Sequence, residues 1–328
     1  MRVFRQGDAD VTALVGAAVC VVGFGNLGAS MAHNLREAGL TVTVGNVDDE
    51  YRSQAAAAGF AVDDIVAAVA AADVVYVLVP DEAMPSVFAR DIKPALRSGA
   101  AVCFASGYCL AFGLVEPPPE VDVLLLAPRM LGSSVRSTPE HSNGFVSFIA
   151  VEQDATGHAE RRLLALAAAS GTLRRGAFEL RAREEAHLDL LVEQTVGPYL
   201  GIALQLAFEV GAAAGLPPEA LVLELYQSGE MAATFQTFAD AGFYRSVNRH
   251  GVTAQFGGYL RTIDIDIDAM RRHFEKVLDD IRSGGFARSL QHEHDAGYPI
   301  MRAIDAITRG DDPMSQAEAR VQAALRDP

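Results

Sequence analysis

The feature that most constrains the fold is a glycine-rich turn between an apolar run and a helical segment, Gly23-Phe24-Gly25-Asn26-Leu27-Gly28. The preceding residues 18–22 form a continuous apolar run, which is typical of a strand buried on both faces of a parallel sheet. Residues 27–38 follow with helical periodicity. In this setting the first glycine permits a tight turn, the second lets the backbone approach a pyrophosphate, and the third allows close helix–strand packing. The turn predicts a dinucleotide-binding βαβ unit.

The alternation of short apolar runs with helical segments continues through the first half of the chain. Further strands are predicted at 41–44, 74–79, 100–105, 121–127 and 144–151, with helices at 50–58 and 64–71. This alternation is typical of an α/β domain with a Rossmann-type, doubly wound parallel sheet. Beyond about residue 153 the chain turns alanine- and leucine-rich with helical periodicity, which predicts a second, all-helical domain. We place the dinucleotide-binding domain at 1–182 and the helical domain at 183–328.

Charge and hydropathy narrow the class of partner. The formal net charge of −15 argues against nucleic acid and anionic membranes, because both would repel the chain. Residues 196–215 are apolar, but Pro198, Gln205 and Glu209 interrupt them, so a buried helix is expected rather than a membrane span, with a subunit interface as one place for it. Residues 1–15 lack the apolar core of a signal peptide. The sequence predicts a cytoplasmic protein with a small-molecule substrate and no nucleic-acid or membrane partner.

The residues after the second strand bear on the choice of cofactor. Carboxylates there can accept hydrogen bonds from the adenosine ribose and would repel a 2′-phosphate, which favours NADH. A guanidinium and a hydroxyl in the same segment would attract a 2′-phosphate, so NADPH stays open. With the turn, the predicted cofactor contacts are Gly23, Phe24, Gly25, Asn26, Leu27, Gly28, Asn46, Asp48, Arg52 and Ser53.

Ordered blocks over nearly the whole length resemble the ketol-acid reductoisomerase family, which couples alkyl migration to ketone reduction. They are GFGNLGASMAHNLREAGL, LVPDE, FASGYCLAFG, VDVLLLAPR, FIAVEQDATGHA, EEAHLDLLVEQ and KVLDDIRSGGFAR. The resemblance implies a short, class I-like enzyme with a knotted helical C-terminal domain, NAD(P)H and two Mg²⁺ ions. It also implies a homodimer with shared active sites. Through the LVPDE block it adds Val79, Pro80 and Asp81 to the cofactor contacts.

Carried over residue by residue, the resemblance places the metal-bridging aspartate at Asp189 and its partner glutamate at Glu193. Of two further family glutamates, one is retained as Glu230 and one is replaced by Tyr226. The family serine that holds the substrate carboxylate falls on Gly251. The family's active-site histidine and lysine correspond to Ser106 and Arg129. The predicted catalytic residues are therefore Asp189, Glu193, Glu230, Tyr226, Ser106 and Arg129, with Asp189, Glu193 and Glu230 as candidate metal ligands.

These replacements alter the chemistry that the resemblance implies. Mg²⁺ prefers hard oxygen ligands, and a neutral phenol at position 226 removes a charge and a ligand, so at most one Mg²⁺ is expected. Alkyl migration needs a pair of ions to polarise a ketone and its neighbouring hydroxyl together, so isomerisation is expected to be lost. Arg129 cannot donate a proton as a lysine can, and its planar group suits the binding of an anion.

The leading hypothesis is an NAD(P)H-dependent reductase of reductoisomerase ancestry that reduces a C=O or C=N bond in a polar, carboxylate-bearing metabolite of a specialised pathway. A true ketol-acid reductoisomerase is the first alternative, and a non-catalytic dinucleotide-binding protein is the second. Plainer interpretations of single residues stay open as well. Asp189 and Glu193 are also compatible with a solvated acidic helix face, Tyr226 with a core aromatic residue, and Ser106 with a side chain that fills space.

Overall fold

The computed structural model describes residues 1–137, 144–247, 251–308 and 310–326. The chain divides into two compact units, Met1–Asp189 and Leu190–Pro328. Among the described residues the first unit is α/β and the second is helical, as the sequence predicts. The boundary at 182/183 that we place from the sequence stays a prediction.

The described part of the first unit contains a nine-stranded sheet in the order β1-β9-β8-β7-β6-β5-β2-β3-β4. Strands β2 to β7 run parallel to one another. The chain crosses from β4 on one side of β2 to β5 on its other side, and ligands bind beyond the carboxyl ends of strands at such a switch point. The strands are β1 (Val3–Phe4), β2 (Ala18–Val22), β3 (Thr41–Gly45), β4 (Ala61–Asp63), β5 (Val74–Val77), β6 (Ala101–Phe104), β7 (Asp122–Pro128), β8 (Val146–Gln153) and β9 (Gly176–Glu179).

The sheet departs from the all-parallel prediction at one edge. Strand β8 lies antiparallel to β7, and β1 lies antiparallel to β9. A parallel neighbour for β7 would require a crossover helix, whereas the described part of the β7–β8 connection contains only the short helix α6 (Ser134–Ser137). Strands β1, β4 and β9 were not predicted from the sequence, because strands of two to four residues are too short to show a hydrophobic period.

The helices of the first unit cover the sheet and complete its core. Leu126 and Tyr76 lie at the centre, and the Tyr76 hydroxyl donates to the Leu126 carbonyl at 2.7 Å. Asp122 is fully buried at the start of β7, where Arg162 and Thr156 contact its carboxylate, as a buried charge requires. Besides α6, the helices are α1 (Asn26–Glu37), α2 (Glu50–Ala57), α3 (Ile65–Ala71), α4 (Met84–Val87), α5 (Tyr108–Ala111), α7 (Ala159–Ser170) and α8 (Ala182–Gln194).

The second unit is built from helices joined by short turns. A π-helical segment, Leu223–Gln227, follows α10 directly. A small apolar cluster of Phe208, Val222, Ala317 and Val321 holds α9, α10 and α17 together. The helices are α9 (Val196–Ala213), α10 (Pro218–Val222), α11 (Glu230–Ala241), α12 (Phe243–Val247), α13 (Val252–Thr262), α14 (Ile267–Arg282), α15 (Gly285–Asp295), α16 (Pro299–Ile307) and α17 (Pro313–Arg326).

Helix α9 forms where the sequence predicts a helix, but this chain alone buries little of it. Phe208 is the one residue of α9 buried within the chain, as far as its residues are described, so burial of the rest at a subunit interface stays a prediction. Apolar side chains such as Ile202 and Leu206 are more than half exposed. The periodicity gave the helix correctly, but composition alone does not tell which surface covers it.

Among the described residues, one helical stretch, Ala182–Ala213, is long and apolar enough to cross a membrane, by length and composition only. The core or interface helix of a soluble protein passes the same test. The interrupting Pro198, Gln205 and Glu209 lie inside this stretch, and a polar side chain in hydrocarbon is costly.

Candidate functional site

The glycine turn connects β2 to α1 with the geometry that the sequence predicts. Gly23 has a φ of +95°, and a Cβ atom there would lie 2.7 Å from the Leu78 carbonyl oxygen. A Cβ on Gly28 would lie 2.1 Å from the Gly23 carbonyl oxygen. A Cβ on Gly25 would meet no described atom within 4 Å. Gly23 and Gly28 therefore serve the packing of the turn, whereas the space at Gly25 is open to a ligand.

A groove of about 630 Å³ runs along the carboxyl ends of the central strands, beside this turn. Helix α1 begins at the groove with Gly25 as its N-cap and no side-chain cap, so its first amide groups can serve an anion. Ten of the predicted residues line it: Gly23, Phe24, Gly25, Asn26, Leu27, Asn46, Val79, Pro80, Asp81 and Ser106. Gly28 lies beneath the turn, and Asp48, Arg52 and Ser53 are not among its lining residues.

One end of the groove lies beyond β3, where a hydrogen-bonded network surrounds Asn46. The buried Asn46 side chain accepts from the Phe24 amide at 3.2 Å and donates to Asp49 Oδ1 at 2.7 Å. Asp49 also caps α2 by accepting from the Arg52 amide. The Arg52 guanidinium donates to the Asn46 carbonyl at 2.9 Å and to Asp64 at 3.0 Å. Asp49, which sequence reasoning passed over for Asp48, is therefore the carboxylate of this segment that lines the groove.

The other end of the groove lies beyond β5 and β6, where Asp81 meets Ser106. The Ser106 hydroxyl lies 3.4 Å from Asp81 Oδ2, and the Tyr108 amide donates to Ser106 Oγ at 3.1 Å. The pKa of Asp81 is raised to about 7, chiefly by burial and then by the charges of Glu185 and Glu82, while the Ser106 hydrogen bond lowers it. The parallel sheet brings these two residues together because the carboxyl ends of adjacent strands meet at one edge.

Beyond the end of β7, Arg129 bridges two carboxylates of α8. Its Nη2 donates to Glu185 Oε1 at 2.6 Å and its Nη1 donates to Asp189 Oδ1 at 2.8 Å. Glu185 is only 1% exposed, and its second oxygen accepts from the Gly107 amide at 2.7 Å. Burial raises the pKa of Glu185, whereas Arg129 and the Gly107 amide lower it. The guanidinium also lies over the Phe148 ring, 5.2 Å from its centroid.

The remaining predicted residues lie on helices. Glu193 is exposed on α8, one turn beyond Asp189. In the second unit, Glu230 is the exposed first residue of α11. The Tyr226 hydroxyl donates to Glu318 Oε1 on α17, and burial, together with this bond, raises the pKa of Tyr226. Tyr226 therefore helps to pack the second unit and holds its proton at neutral pH.

The candidate metal ligands are poorly suited to binding a pair of divalent ions. Among the described residues, no group of three or more His, Cys, Asp or Glu side chains could hold a metal ion. Arg129 already donates to Asp189, and Tyr226 at the replaced ligand position donates to Glu318. A Mg²⁺ ion needs several hard, anionic or neutral oxygen ligands, and a guanidinium in contact with a ligand repels it. The guanidinium on Asp189 and the phenol at position 226 each disfavour a two-ion site, and the loss of that site stays a prediction.

Sequence reasoning missed Glu185, Asp49 and Glu318. Glu185 had a usable signal, because it lies four residues before Asp189 and so on the same helix face. Asp49 had one too, since an aspartate just before a helix is a typical N-cap. For Glu318 the sequence holds no such signal, because its partner lies 92 residues away.

The comparisons with known proteins agree with this fold. The family model "Acetohydroxy acid isomeroreductase, NADPH-binding domain" matches residues 13–176, and "Ketol-acid reductoisomerase, C-terminal domain" matches residues 182–327. A Saccharolobus solfataricus protein provisionally named ketol-acid reductoisomerase 3 is 35% identical over 323 residues, 97% of each chain. The ketol-acid reductoisomerase (NADP(+)) of Caldivirga maquilingensis is 35% identical over 299 residues, 90% of each.

Among solved structures, the NADH-preferring ketol-acid reductoisomerase from an uncultured archaean superposes with a TM-score of 0.91 at 27% identity. The match covers 98% of this chain and 99% of that one. The two family models together cover the sheet unit and the helical unit, and each sequence relative covers both. The chain therefore belongs to the ketol-acid reductoisomerase family of NAD(P)-dependent oxidoreductases.

Proposed function

We propose that this chain is a reductase that uses NADH or NADPH to reduce a C=O or C=N bond in a polar, carboxylate-bearing metabolite, without alkyl migration. The observation that carries the proposal is the bridge from Arg129 to Glu185 and Asp189. A fixed guanidinium on Asp189 stands where two-ion chemistry needs an open carboxylate. Hydride transfer needs a positioned cofactor and a group that stabilises the developing charge, and no ion pair. We place the reaction in a specialised pathway.

The groove fits a dinucleotide. The open space at Gly25 and the first amides of α1 would hold the pyrophosphate, and Asp49 at the β3 end would accept from the adenosine ribose. Val79 to Asp81, with Ser106, would hold the nicotinamide end, because β5 and β6 lie across β2 from β3. When bound, the cofactor supplies the hydride. We favour NADH, because Arg52 already binds Asp64 and the Asn46 carbonyl.

Arg129 keeps a capacity for substrate in this proposal. A guanidinium has five N–H donors, and the two bridging bonds use two of them. Its Nε is buried and has no hydrogen-bond partner among the described residues. The side chain is 23% exposed, so a substrate carboxylate or carbonyl oxygen can reach its remaining Nη hydrogens.

The decisive experiment offers 2-acetolactate, Mg²⁺ and each nicotinamide cofactor, and follows absorbance at 340 nm. We expect no oxidation above background, and steady turnover would show a true ketol-acid reductoisomerase. A panel of 2-oxo acids and cyclic imines with NADH separates the remaining alternatives. Oxidation with one of them supports the reductase, whereas cofactor binding with no oxidation across the panel supports a non-catalytic dinucleotide-binding protein.

The metal is tested directly by titrating the protein with Mn²⁺ and counting free ions by electron paramagnetic resonance. We expect no site with a Kd below about 1 mM, which is weaker than dedicated carboxylate sites. The Arg129→Lys variant is the matched comparison, because a single ammonium cannot bridge both carboxylates and frees Asp189 in part. Stoichiometric binding to the unmodified protein that Asp189→Asn abolishes would restore Mg²⁺ to the site.

We further propose a homodimer with shared active sites, formed by the helical unit. Large apolar side chains of the second unit are exposed in the single chain, among them Ile202, Leu206, Val210, Phe256 and Tyr259. Exposed apolar surface of this extent is typical of an interface between subunits. Light scattering coupled to gel filtration tests it, and a monomer of 34.8 kDa would contradict it. The net charge of −15 supports a cytoplasmic protein without nucleic-acid or membrane partners.

A further inference from the structure

The nicotinamide end of the groove contains a carboxyl group with no role in the proposal above beyond contact with the cofactor. Asp81 lines the groove four residues after β5, next to Ser106, which lies two residues after β6. The backbone carbonyl of Asp81 accepts from the Cys109 thiol at 3.4 Å. Asp81 is thus fixed at both its backbone and its carboxylate, at the floor of the groove.

The surroundings of Asp81 are acidic. Glu185, Glu82 and Asp189 are the charged groups whose fields act on it, and all three are negative. The Arg129 guanidinium donates to Glu185 and Asp189 and has no described bond to Asp81. A carboxyl in such a place holds its proton to near neutral pH, where a proton donor is most effective.

The other titratable groups of this wall do not compete. Burial raises the pKa of both the Tyr108 hydroxyl and the Cys109 thiol, so both stay protonated at neutral pH. The burial of Glu185 raises its pKa as well, but Glu185 is bonded to Arg129 and the Gly107 amide, whereas Asp81 lines the groove.

Ser106 is oriented to pass that proton on. The Ser106 oxygen accepts a hydrogen bond from the Tyr108 amide at 3.1 Å, which uses one of its lone pairs. The hydroxyl hydrogen can therefore rotate between Asp81 and the groove. A hydroxyl that donates to one partner while accepting from another is a standard proton carrier.

We propose that Asp81 and Ser106 together form the proton donor of the reduction, which rests on the proposed reductase function. As the cofactor's hydride reaches the carbon of the C=O or C=N bond, the Ser106 hydroxyl gives its proton to the oxygen or nitrogen. Asp81 replaces that proton on Ser106 and becomes a carboxylate. The product gains one hydride and one proton, and the carboxylate then lies beside an oxidised, cationic nicotinamide until water reprotonates it.

This arrangement predicts a linkage that needs no substrate. NAD⁺, whose nicotinamide ring is cationic, should bind better to the protein with Asp81 ionised, whereas NADH, whose ring is neutral, should not distinguish the two forms. The Kd of NAD⁺ should therefore fall on the order of tenfold between pH 5.5 and 8.5, because a tenfold change corresponds to one unit of pKa shift. The Kd of NADH should stay within about twofold. Isothermal titration calorimetry at several pH values, in buffers of different ionisation enthalpy, measures both the affinities and the protons released.

Three variants sharpen the measurement. Asp81→Asn should remove the pH dependence of NAD⁺ binding, and Glu82→Gln, its sequence neighbour, should keep it. Ser106→Ala should move the midpoint of the dependence to higher pH, because the Ser106 hydrogen bond lowers the pKa of Asp81. A flat NAD⁺ profile in the unmodified protein, a dependence unchanged in Asp81→Asn, or an unmoved midpoint in Ser106→Ala would each overturn the proposal. Failure to bind either cofactor would instead overturn the reductase function itself.

Discussion

Replacing Arg129 by methionine tests how far the fold depends on the bridge between Arg129 and α8. Methionine keeps much of the length of the side chain and its contact with Phe148 but removes the charge. Glu185, at 1% exposed, then keeps only the Gly107 amide as a described donor. Removing one partner of a buried ion pair costs roughly 3–5 kcal/mol. Because the amide bond persists, we expect a loss of about 3 kcal/mol at pH 8.

The dependence on pH gives the sign of the effect. In the folded protein burial already raises the pKa of Glu185, and Arg129 and the Gly107 amide oppose this. Without Arg129 the pKa rises further, so the folded variant holds a proton that the unfolded chain, with a pKa of about 4.3, releases. A group whose pKa is higher in the folded state stabilises the fold fully at pH values below its pKa in the unfolded chain. This stabilisation is lost as the pH rises through its pKa in the folded state. The loss caused by Arg129→Met should therefore be smaller at pH 5 than at pH 8.

Urea unfolding followed by far-UV circular dichroism at both pH values measures the free energy. The double variant Arg129→Met with Glu185→Gln is the control, since a neutral amide at position 185 removes the buried charge. We expect it to regain most of the loss at pH 8. A loss below about 1 kcal/mol at pH 8, or one that is equal at both pH values, would refute the view that Glu185 is a buried anion held by Arg129.

Three other changes test the groove and the second unit. Gly25→Ala should weaken NADH binding at least tenfold with an unchanged melting temperature. Gly28→Ala should instead destabilise the fold by more than about 2 kcal/mol, because its Cβ would lie 2.1 Å from the Gly23 carbonyl oxygen. Equal effects on binding and melting in both variants would contradict this division of roles. Asp49→Asn removes the carboxylate charge while the side chain can still cap α2. It should shift the ratio of NADPH to NADH affinity roughly fivefold toward NADPH. An unchanged ratio in fluorescence titrations would show that Asp49 takes no part in cofactor selection. Tyr226→Phe should lower stability by about 1–2 kcal/mol through loss of the bond to Glu318, and an unaltered urea midpoint would contradict a packing role.

The sequence predicted those parts of the fold that depend on local pattern. The turn from Gly23 to Gly28 and the continuous run of β5 each contain their own signal, because a tight turn and a doubly buried strand constrain neighbouring residues. The antiparallel return of β8 carries no such local signal, since the direction of a strand depends on the connection that precedes it.

The candidate site could be predicted in part for the same reason. The family resemblance marked Arg129 and Ser106 as altered positions, but it did not indicate the bridge to Glu185, which joins residues 56 apart. Nor did the sequence indicate that Asp81 would face Ser106, because that contact exists only after β5 and β6 pair. Side chains that meet across strands or between a strand and a helix depend on register, and register is set by the packed sheet.

The glycine turn and the positions where this chain departs from the family differ in how much of the fold they involve. Gly23 and Gly28 are fixed by backbone contacts, so a side chain at either position displaces the turn itself. A Cβ atom on Gly251 would meet no described atom within 4 Å. The Tyr226 hydroxyl donates a hydrogen bond to Glu318 on α17. Arg129 binds two carboxylates without disturbing β7. We therefore expect replacements at these three positions to leave the glycine turn unchanged, as the proposed reductase function requires.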